Sequence, residues 1–391
     1  MYKRNLENEL LDASKMYPVV TVTGPRQSGK TTLVRACFPK KPYINLEEPD
    51  TRELAASDPR AFLQKYPDGA ILDEIQRLPL LLSYMQSLVD ARNQSGMFVL
   101  TGSHQLELSQ AITQSLAGRT ALLTLLPMSL QELRLAGFQL SLDEALLKGG
   151  YPRLFMHGMN PTKAYKNYFQ TYVERDLRSL IQVKDLAQFQ KFVYLAAGRI
   201  GQLINFESLG NEVGITANTV KHWLSILEAS FVVKRLQPYH ENFGKRVLKT
   251  AKLYFTDVGL ATALLGIETA AQLERDPLRG QLVENLVYLE LVKARLNQGL
   301  DPELYFFKDA TGHEVDFLFK KGHELIPIEV KSSMTFNSSF LRGLHYFEKI
   351  ASGRALKGSV IYGGDEELFG DKFNLIPFYK CAQLLQGQAF E

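Results

Sequence analysis

Cysteine is almost missing from this chain. Its 391 residues hold two, Cys37 and Cys381, at opposite ends. That excludes a disulfide framework and a cysteine-rich metal site, and it fits a reducing cytoplasm. Long apolar runs are missing too. None approaches the roughly 20 residues that cross a bilayer, and the opening stretch MYKRNLENEL lacks the apolar core of a secretory signal. The expectation is a soluble, cytoplasmic protein with no membrane partner. An excess of one charge is the third absence. Lys and Arg number 45 against 42 Asp and Glu, a net charge of +3, so a polyanion must be met by a local basic patch rather than by the whole molecule. The histidines His157, His240, His313 and His323 show no metal-ligand spacing.

What is present is an ordinary globular composition, 45% hydrophobic and 22% charged, long enough for two or three domains that each bury a core. Residues 19–127 alternate short β-branched runs with amphipathic stretches. PVVTVTG, PYINLEE, GAILDEI, GMFVLTGS and TALLTLLP read as strands, and LPLLLSYMQSLVDARN as one of the helices between them. Strands alternating with helices imply crossover connections and a mainly parallel sheet covered on both faces. The glycines and proline of GGYPRL interrupt a helical region and set the first expected boundary. The expected domains are 1–150, 151–270 and 271–391, without internal repeats.

Gly24-Pro25-Arg26-Gln27-Ser28-Gly29-Lys30-Thr31 matches G-x-x-x-x-G-K-[ST], and it stands where a strand ends and a helix opens, with Thr32 next. Such glycines let the backbone turn its N–H groups toward phosphates, and the helix N-terminus adds a positive field. Lys30 then reaches the β- and γ-phosphates of ATP, and Thr31 ligates Mg²⁺. The strand of AILDEIQ ends in Asp73 and Glu74. Asp73 suits the Mg²⁺ shell, and Glu74 suits the orientation and deprotonation of an attacking water. In LTGSHQ, Ser103 or His104 is placed to sense the γ-phosphate. Charge developing there is neutralised best by an arginine, often a neighbouring subunit's. Arg119 of LAGRT is the first choice, followed by Arg153, Arg175 and Arg178.

The phosphate loop, the Asp-Glu strand end, LTGS, LAGR, GGYPRL, YVERDL and FGKRVLKTAKLYFTDVGLATALLG together are similar to the bacterial and archaeal AAA-type ATPases that carry a C-terminal restriction-endonuclease-like domain. The likeness covers essentially the whole chain. It implies an ATP-binding domain, a winged helix and a nuclease-like domain, in that order. One departure stands out: AAA enzymes generally have Asn at the sensing strand end, and this chain has Ser103.

INFESLGNEVGITANTVKHWLSILEASFVVKRL reads as helix, glycine turn, helix and strand, the layout of a winged helix-turn-helix. Val220, Trp223, Leu224 and Leu227 fall on one face of the second helix. Thr216, Asn218, Lys221, His222 and Ser225 fall on the other, as on a groove-reading helix or on any amphipathic one. Lys245, Arg246, Lys249 and Lys252 suffice to engage several phosphates of DNA, or form a solvated charged face.

Farther along, Glu284 lies on a helix, Asp316 on HEVDFLF, and Glu329 and Lys331 on IPIEVKS. Residues two apart on a strand share a face, and a hairpin brings Asp316 beside them. This resembles the PD-(D/E)-x-K nuclease pattern. Glu284, Asp316 and Glu329 would hold metal and Lys331 would place the nucleophile, in a pocket that either cuts DNA or only binds it.

The expected fold is α/β: a P-loop NTPase parallel sheet, a helical and winged-helix middle, and a PD-(D/E)-x-K nuclease-like end. The expected function is ATP hydrolysis with Mg²⁺ by a homo-oligomer that acts on DNA. The alternatives are an ATP-driven oligomeric switch in signalling or defence whose last domain is an interaction module, and a metal-dependent DNA nuclease regulated by ATP.

Overall fold

The computed structural model describes residues 2–103, 112, 114–173, 186–239, 250–351 and 353–385. His104, Arg175, Arg178, His240, Lys245, Arg246 and Lys249 lie outside the described residues. Two compact units are present. The first comprises Met1–Met128, Ala229–Phe231 and Leu296–Leu300, and the second Ser129–Glu228, Val232–Arg295 and Asp301–Glu391.

The first unit is built on five strands: β1 (Val19–Thr23), β2 (Tyr43–Asn45), β3 (Ile71–Asp73), β4 (Phe98–Gly102) and β5 (Thr120–Thr124). They lie in the order β2-β3-β4-β1-β5, and every neighbouring pair is parallel. Side chains alternate between the two faces. Val20, Val22, Ile71, Val99 and Leu123 pack with Leu10 of the helix Glu7–Met16 and with Leu33 and Val34 of the helix Lys30–Cys37. Val19, Leu72, Phe98 and Leu100 pack on the other side with Leu81, Leu82, Met85 and Val89 of the helix Leu80–Arg92. Burial on both faces is why these strands read as continuous apolar runs rather than as polar-apolar alternation. From β1 the chain crosses toward β2, whereas from β4 it crosses over β1 to reach β5. The winding therefore reverses between β1 and β4, and such a reversal opens a crevice at the carboxyl ends of the strands.

In the second unit, the helices Phe206–Val213 and Ala217–Ala229 are joined at Gly214, which has the left-handed φ of 89° that glycine tolerates best. Val220, Trp223, Leu224 and Leu227 are buried, and Thr216, Asn218, Lys221 and His222 are exposed. An antiparallel ribbon follows, β6 (Val233–Leu236) with β7 (Lys252–Phe255). The last part is a six-stranded sheet of β8 (Leu304–Lys308), β9 (Glu314–Lys321), β10 (Glu324–Lys331), β11 (Gly358–Tyr362), β12 (Leu368–Phe369) and β13 (Phe373–Pro377). Its order is β12-β13-β11-β10-β9-β8. The helix Arg342–Ile350 lies in the crossover between β10 and its parallel neighbour β11. β12 and β13 go beyond what the sequence suggested, because LF and FNLIP are short and sit among charged and glycine residues.

The two compact units do not follow the three expected domains one for one. Residues on both sides of the boundary expected at 270 belong to the second compact unit. Past β6 the chain runs along the edge of the sheet, where Tyr239 N donates to Phe306 O at 2.8 Å and Phe306 N donates to Gln237 O at 3.2 Å. The boundary expected at 150 falls instead between Met128 and Ser129. GGYPRL is not a linker but a close contact within the second unit. Asp257 accepts from Gly150 N at 2.8 Å, from Tyr165 Oη at 2.6 Å and from Leu260 N at 3.0 Å. Gly149 has a φ of 59°, and a Cβ there would collide with Asp257 Oδ1 and the Tyr165 hydroxyl. Gly149→Ala combines left-handed backbone with that clash. It should destabilise the second unit by more than about 1 kcal/mol in a denaturant titration.

Candidate functional site

The phosphate loop leaves β1 at the reversal point. Gly24 has a φ of 148° and lies so close to Leu125 O that a Cβ would overlap it, and Gly29, with a φ of 96°, precedes the helix Lys30–Cys37. Gln27 also takes a positive φ, 63°. Pro25 is buried, Arg26 half-buried and Thr32 exposed, and Arg26 Nη1 lies 3.7 Å from Glu47. Lys30 folds back and donates to the carbonyls of Gly24 at 2.9 Å and Pro25 at 2.8 Å. Burial pulls its amine down to about 8. Among the described residues the buried Ser28 hydroxyl has no hydrogen-bond partner. A buried hydroxyl so placed and a lysine donating to loop carbonyls both suit an anionic group in the loop.

The loop is clamped by a residue that sequence reasoning missed. Arg4 is buried and donates to Ser28 O and to Leu126 O, both at 2.6 Å. An arginine in MYKRNLENEL carries no motif, so only its burial reveals it.

Asp73, at the end of β3, meets the loop's helix. Thr31 Oγ1 donates to Asp73 Oδ2 at 2.9 Å, Tyr43 Oη donates to the same oxygen at 2.6 Å, and the Thr101 hydroxyl donates to Oδ1. Burial, then the Asp73 carboxylate, raises the Tyr43 phenol, so it remains a donor. Glu74 takes a left-handed φ of 57°. Its Oε2 accepts from Ser103 Oγ at 3.1 Å and from the Gln76 amide. The structure thus brings Lys30, Thr31, Asp73, Glu74 and Ser103 to one edge of the sheet. Tyr43, Gln76 and Thr101 join them, and none carries a motif of its own.

Arg119 is not brought there. It precedes β5, its carbonyl accepts from Val19 N at the start of β1, and its guanidinium grips Asp90 at 2.5 and 2.8 Å. In a parallel sheet that is the edge opposite the phosphate loop, so Arg119 does not reach its own chain's cradle. Arg153 is exposed on the helix Pro152–Met156 of the second unit.

The second constellation is a cluster, but lysines neutralise it. Lys331 Nζ lies 2.6 Å from Glu329 and 3.6 Å from Asp316, and Asp316 also accepts from Val330 N at 2.8 Å. Glu284 accepts from Lys252 at 2.8 Å and from Tyr254 Oη at 2.5 Å, and Lys252 lies 2.6 Å from Glu314. Lys252 is therefore no part of a phosphate-gripping surface: it is 3% exposed and inserted from β7 among the acids. Burial alone would lower its amine, but Glu284, Asp316 and Glu314 outweigh that and hold it charged. Burial pushes Glu284 up to about 7, with Lys252 offsetting part of the effect, and burial with Asp316 pushes Glu329 up to about 8. Among the described residues no three His, Cys, Asp or Glu side chains are grouped to hold a metal ion. The expected shared metal on Glu284, Asp316 and Glu329 does not fit this arrangement, because Lys252 and Lys331 already occupy the carboxylates that would ligate it. Glu314, and the place of Lys252 among the acids, escaped sequence reasoning because the pairing spans distant elements.

A parallel sheet that delivers a phosphate loop and an Asp-Glu strand end to one crevice defines a P-loop ATPase domain. A family model described as an AAA domain matches residues 16–134, and models of two domains of unknown function, DUF8612 and DUF4143, match residues 139–271 and 279–381. Uncharacterized proteins of Mycobacterium bovis and Mycobacterium tuberculosis are each 31% identical to this chain over 338 residues, 85% of it and 74% of theirs. The chain belongs to the same family as these two proteins, and its first unit is an AAA-type ATPase domain. It is also similar to a Walker-type ATPase of Pyrococcus abyssi, with 16% identity over 68% of this chain and 96% of that one and a TM-score of 0.44. A signal transduction ATPase of Pyrococcus horikoshii with a tetratricopeptide repeat sensor shows 13% identity over 74% of this chain and 46% of that one, with a TM-score of 0.24. No helix among the described residues is long and apolar enough to cross a membrane.

Lys252→Met strands Glu284 as a buried carboxylate without its cation. Unfolding free energy of the second unit should fall by about 3–5 kcal/mol, and Lys252→Met/Glu284→Gln should recover much of it. Glu329 supplies a pH signature. Its folded pKa exceeds its unfolded one, so the native state holds the extra proton between pH 4.5 and about 8. That stabilisation is full below the lower value and lost as pH rises through the upper one. Denaturant midpoints of the second unit should therefore decline from pH 5 to 8.5, less steeply in Glu329→Gln.

Proposed function

We propose that this protein hydrolyses ATP with Mg²⁺ in its first unit and acts on DNA through its second. The observation that carries the proposal is the meeting of Lys30, Thr31, Asp73 and Glu74 at one edge of the sheet. Lys30 would bind the β- and γ-phosphates with the loop backbone from Gly24 to Gly29, Thr31 and Asp73 would hold the metal, and Glu74 would take the proton of the attacking water. Ser103, bonded to Glu74, is placed to relate the γ-phosphate to that base. When bound, Mg²⁺ neutralises phosphate charge. A homo-oligomer belongs to this reading, with the arginine coming from a neighbouring copy, because Arg119 stands on the edge remote from its own loop.

The helix pair and ribbon support the DNA part. Thr216, Asn218, Lys221 and His222 are exposed along the second helix of what we read as a winged helix, the disposition that suits contact with a groove. The final sheet we read as a nuclease-like fold that binds rather than cuts, since Lys252 and Lys331 neutralise its acids. That same neutralisation favours a second reading, an ATP-driven switch whose second unit is a protein-interaction module.

Calorimetric titration and turnover assays test this. Lys30→Ala should lose ATP binding, and Glu74→Gln should keep it while turnover falls by about 10²- to 10⁴-fold. Single-stranded, duplex or branched DNA should raise wild-type turnover without being cut. Full turnover in Lys30→Ala would sink the nucleotide assignment, and indifference to every DNA would leave the switch.

A further inference from the structure

We propose that Tyr43 is a positioning residue for the divalent cation of the nucleotide site, its hydroxyl fixing the Asp73 carboxylate in the orientation that meets the metal. The inference rests on the nucleotide assignment above and adds a residue that no loop or strand-end motif contains.

The register of β2 on β3 explains how Tyr43 reaches Asp73. Tyr43 pairs with Ile71 and Asn45 with Asp73, so Tyr43, Ile71 and Asp73 share one face of the sheet. A phenol is long enough to run along the neighbouring strand past one pair and end in a donor. Its hydroxyl lies 2.6 Å from Asp73 Oδ2.

The helix that opens with the phosphate loop closes the same arrangement. Thr31 and Arg35 stand four apart, on one face of the helix Lys30–Cys37. Thr31 donates to Asp73 at 2.9 Å, and the Arg35 guanidinium lies 4.7 Å from the centre of the Tyr43 ring. One helix face thus touches both the carboxylate and the ring that holds it. With Thr101 on Oδ1, the carboxylate is held from β2, β4 and the loop helix, and it cannot rotate without breaking a bond. Partners that orient a metal ligand from behind contribute to affinity: losing one lowers metal affinity about 10- to 100-fold.

Tyr43→Phe isolates the hydroxyl, since the ring and its contact with Arg35 stay. The full-length variant and wild type would be titrated with a fluorescent N-methylanthraniloyl-ATP, first in EDTA and then at rising Mn²⁺, with the nucleotide-free thermal midpoint measured alongside. The expected result is equal affinity in EDTA, an equal thermal midpoint, and a Mn²⁺ concentration at half-effect raised about 10-fold or more. Coincident Mn²⁺ curves overturn the inference. So does a loss of affinity in EDTA as large as that in Mn²⁺, which would mark Tyr43 as a support of the loop alone. A wild-type chain that binds no nucleotide in either condition overturns the nucleotide assignment and this inference with it.

Discussion

Five strands running in one direction put their carboxyl ends on a single edge, and the nucleotide site depends on that alignment. Three of the strand ends supply a short piece: β1 the loop, β3 Asp73 and Glu74, β4 Thr101 and Ser103. Because β1 sits between β4 and β5, the loop emerges where the winding reverses, and the crevice needs no helix to step aside. Tight packing on both faces keeps these ends in register. Polar groups that are two residues away from a buried valine or leucine inherit the rigidity of the core.

Charge organises the second unit differently. Lys252, Glu284 and Glu314 come from β7, a helix and β9, so three elements distant in sequence meet through one ammonium group. A buried ion pair contributes little net stability over an apolar contact, but breaking it from one side is costly. It joins the ribbon, a helix and the sheet at one point. The backbone bonds between residues 237–239 and β8 make the same join by a second route.

Much of the first unit was legible in the sequence, because its signals are local. The five strands are apolar runs bounded by turn residues, and the phosphate loop is a contiguous string with an essentially fixed geometry. The acids Asp316 and Glu329 and the neighbouring Lys331 were found as well, since strand parity alone places the last two together. What escaped depends on distance. Arg4 reaches Ser28 and Leu126, Tyr43 reaches Asp73, and Lys252 reaches Glu284, and in each case a commonplace residue acquires its role from elements far along the chain. The misplaced boundary at 150 has the same origin: two glycines signal a break in the helix, but not that Asp257 packs against them.

Arg4 changes how the binding step itself should be pictured. A glycine-containing loop left to itself samples many shapes, and a ligand that must select one of them forfeits affinity in doing so. Here a guanidinium has already fastened Ser28 to the backbone beyond β5. Part of the entropy of shaping the cradle is thus settled during folding.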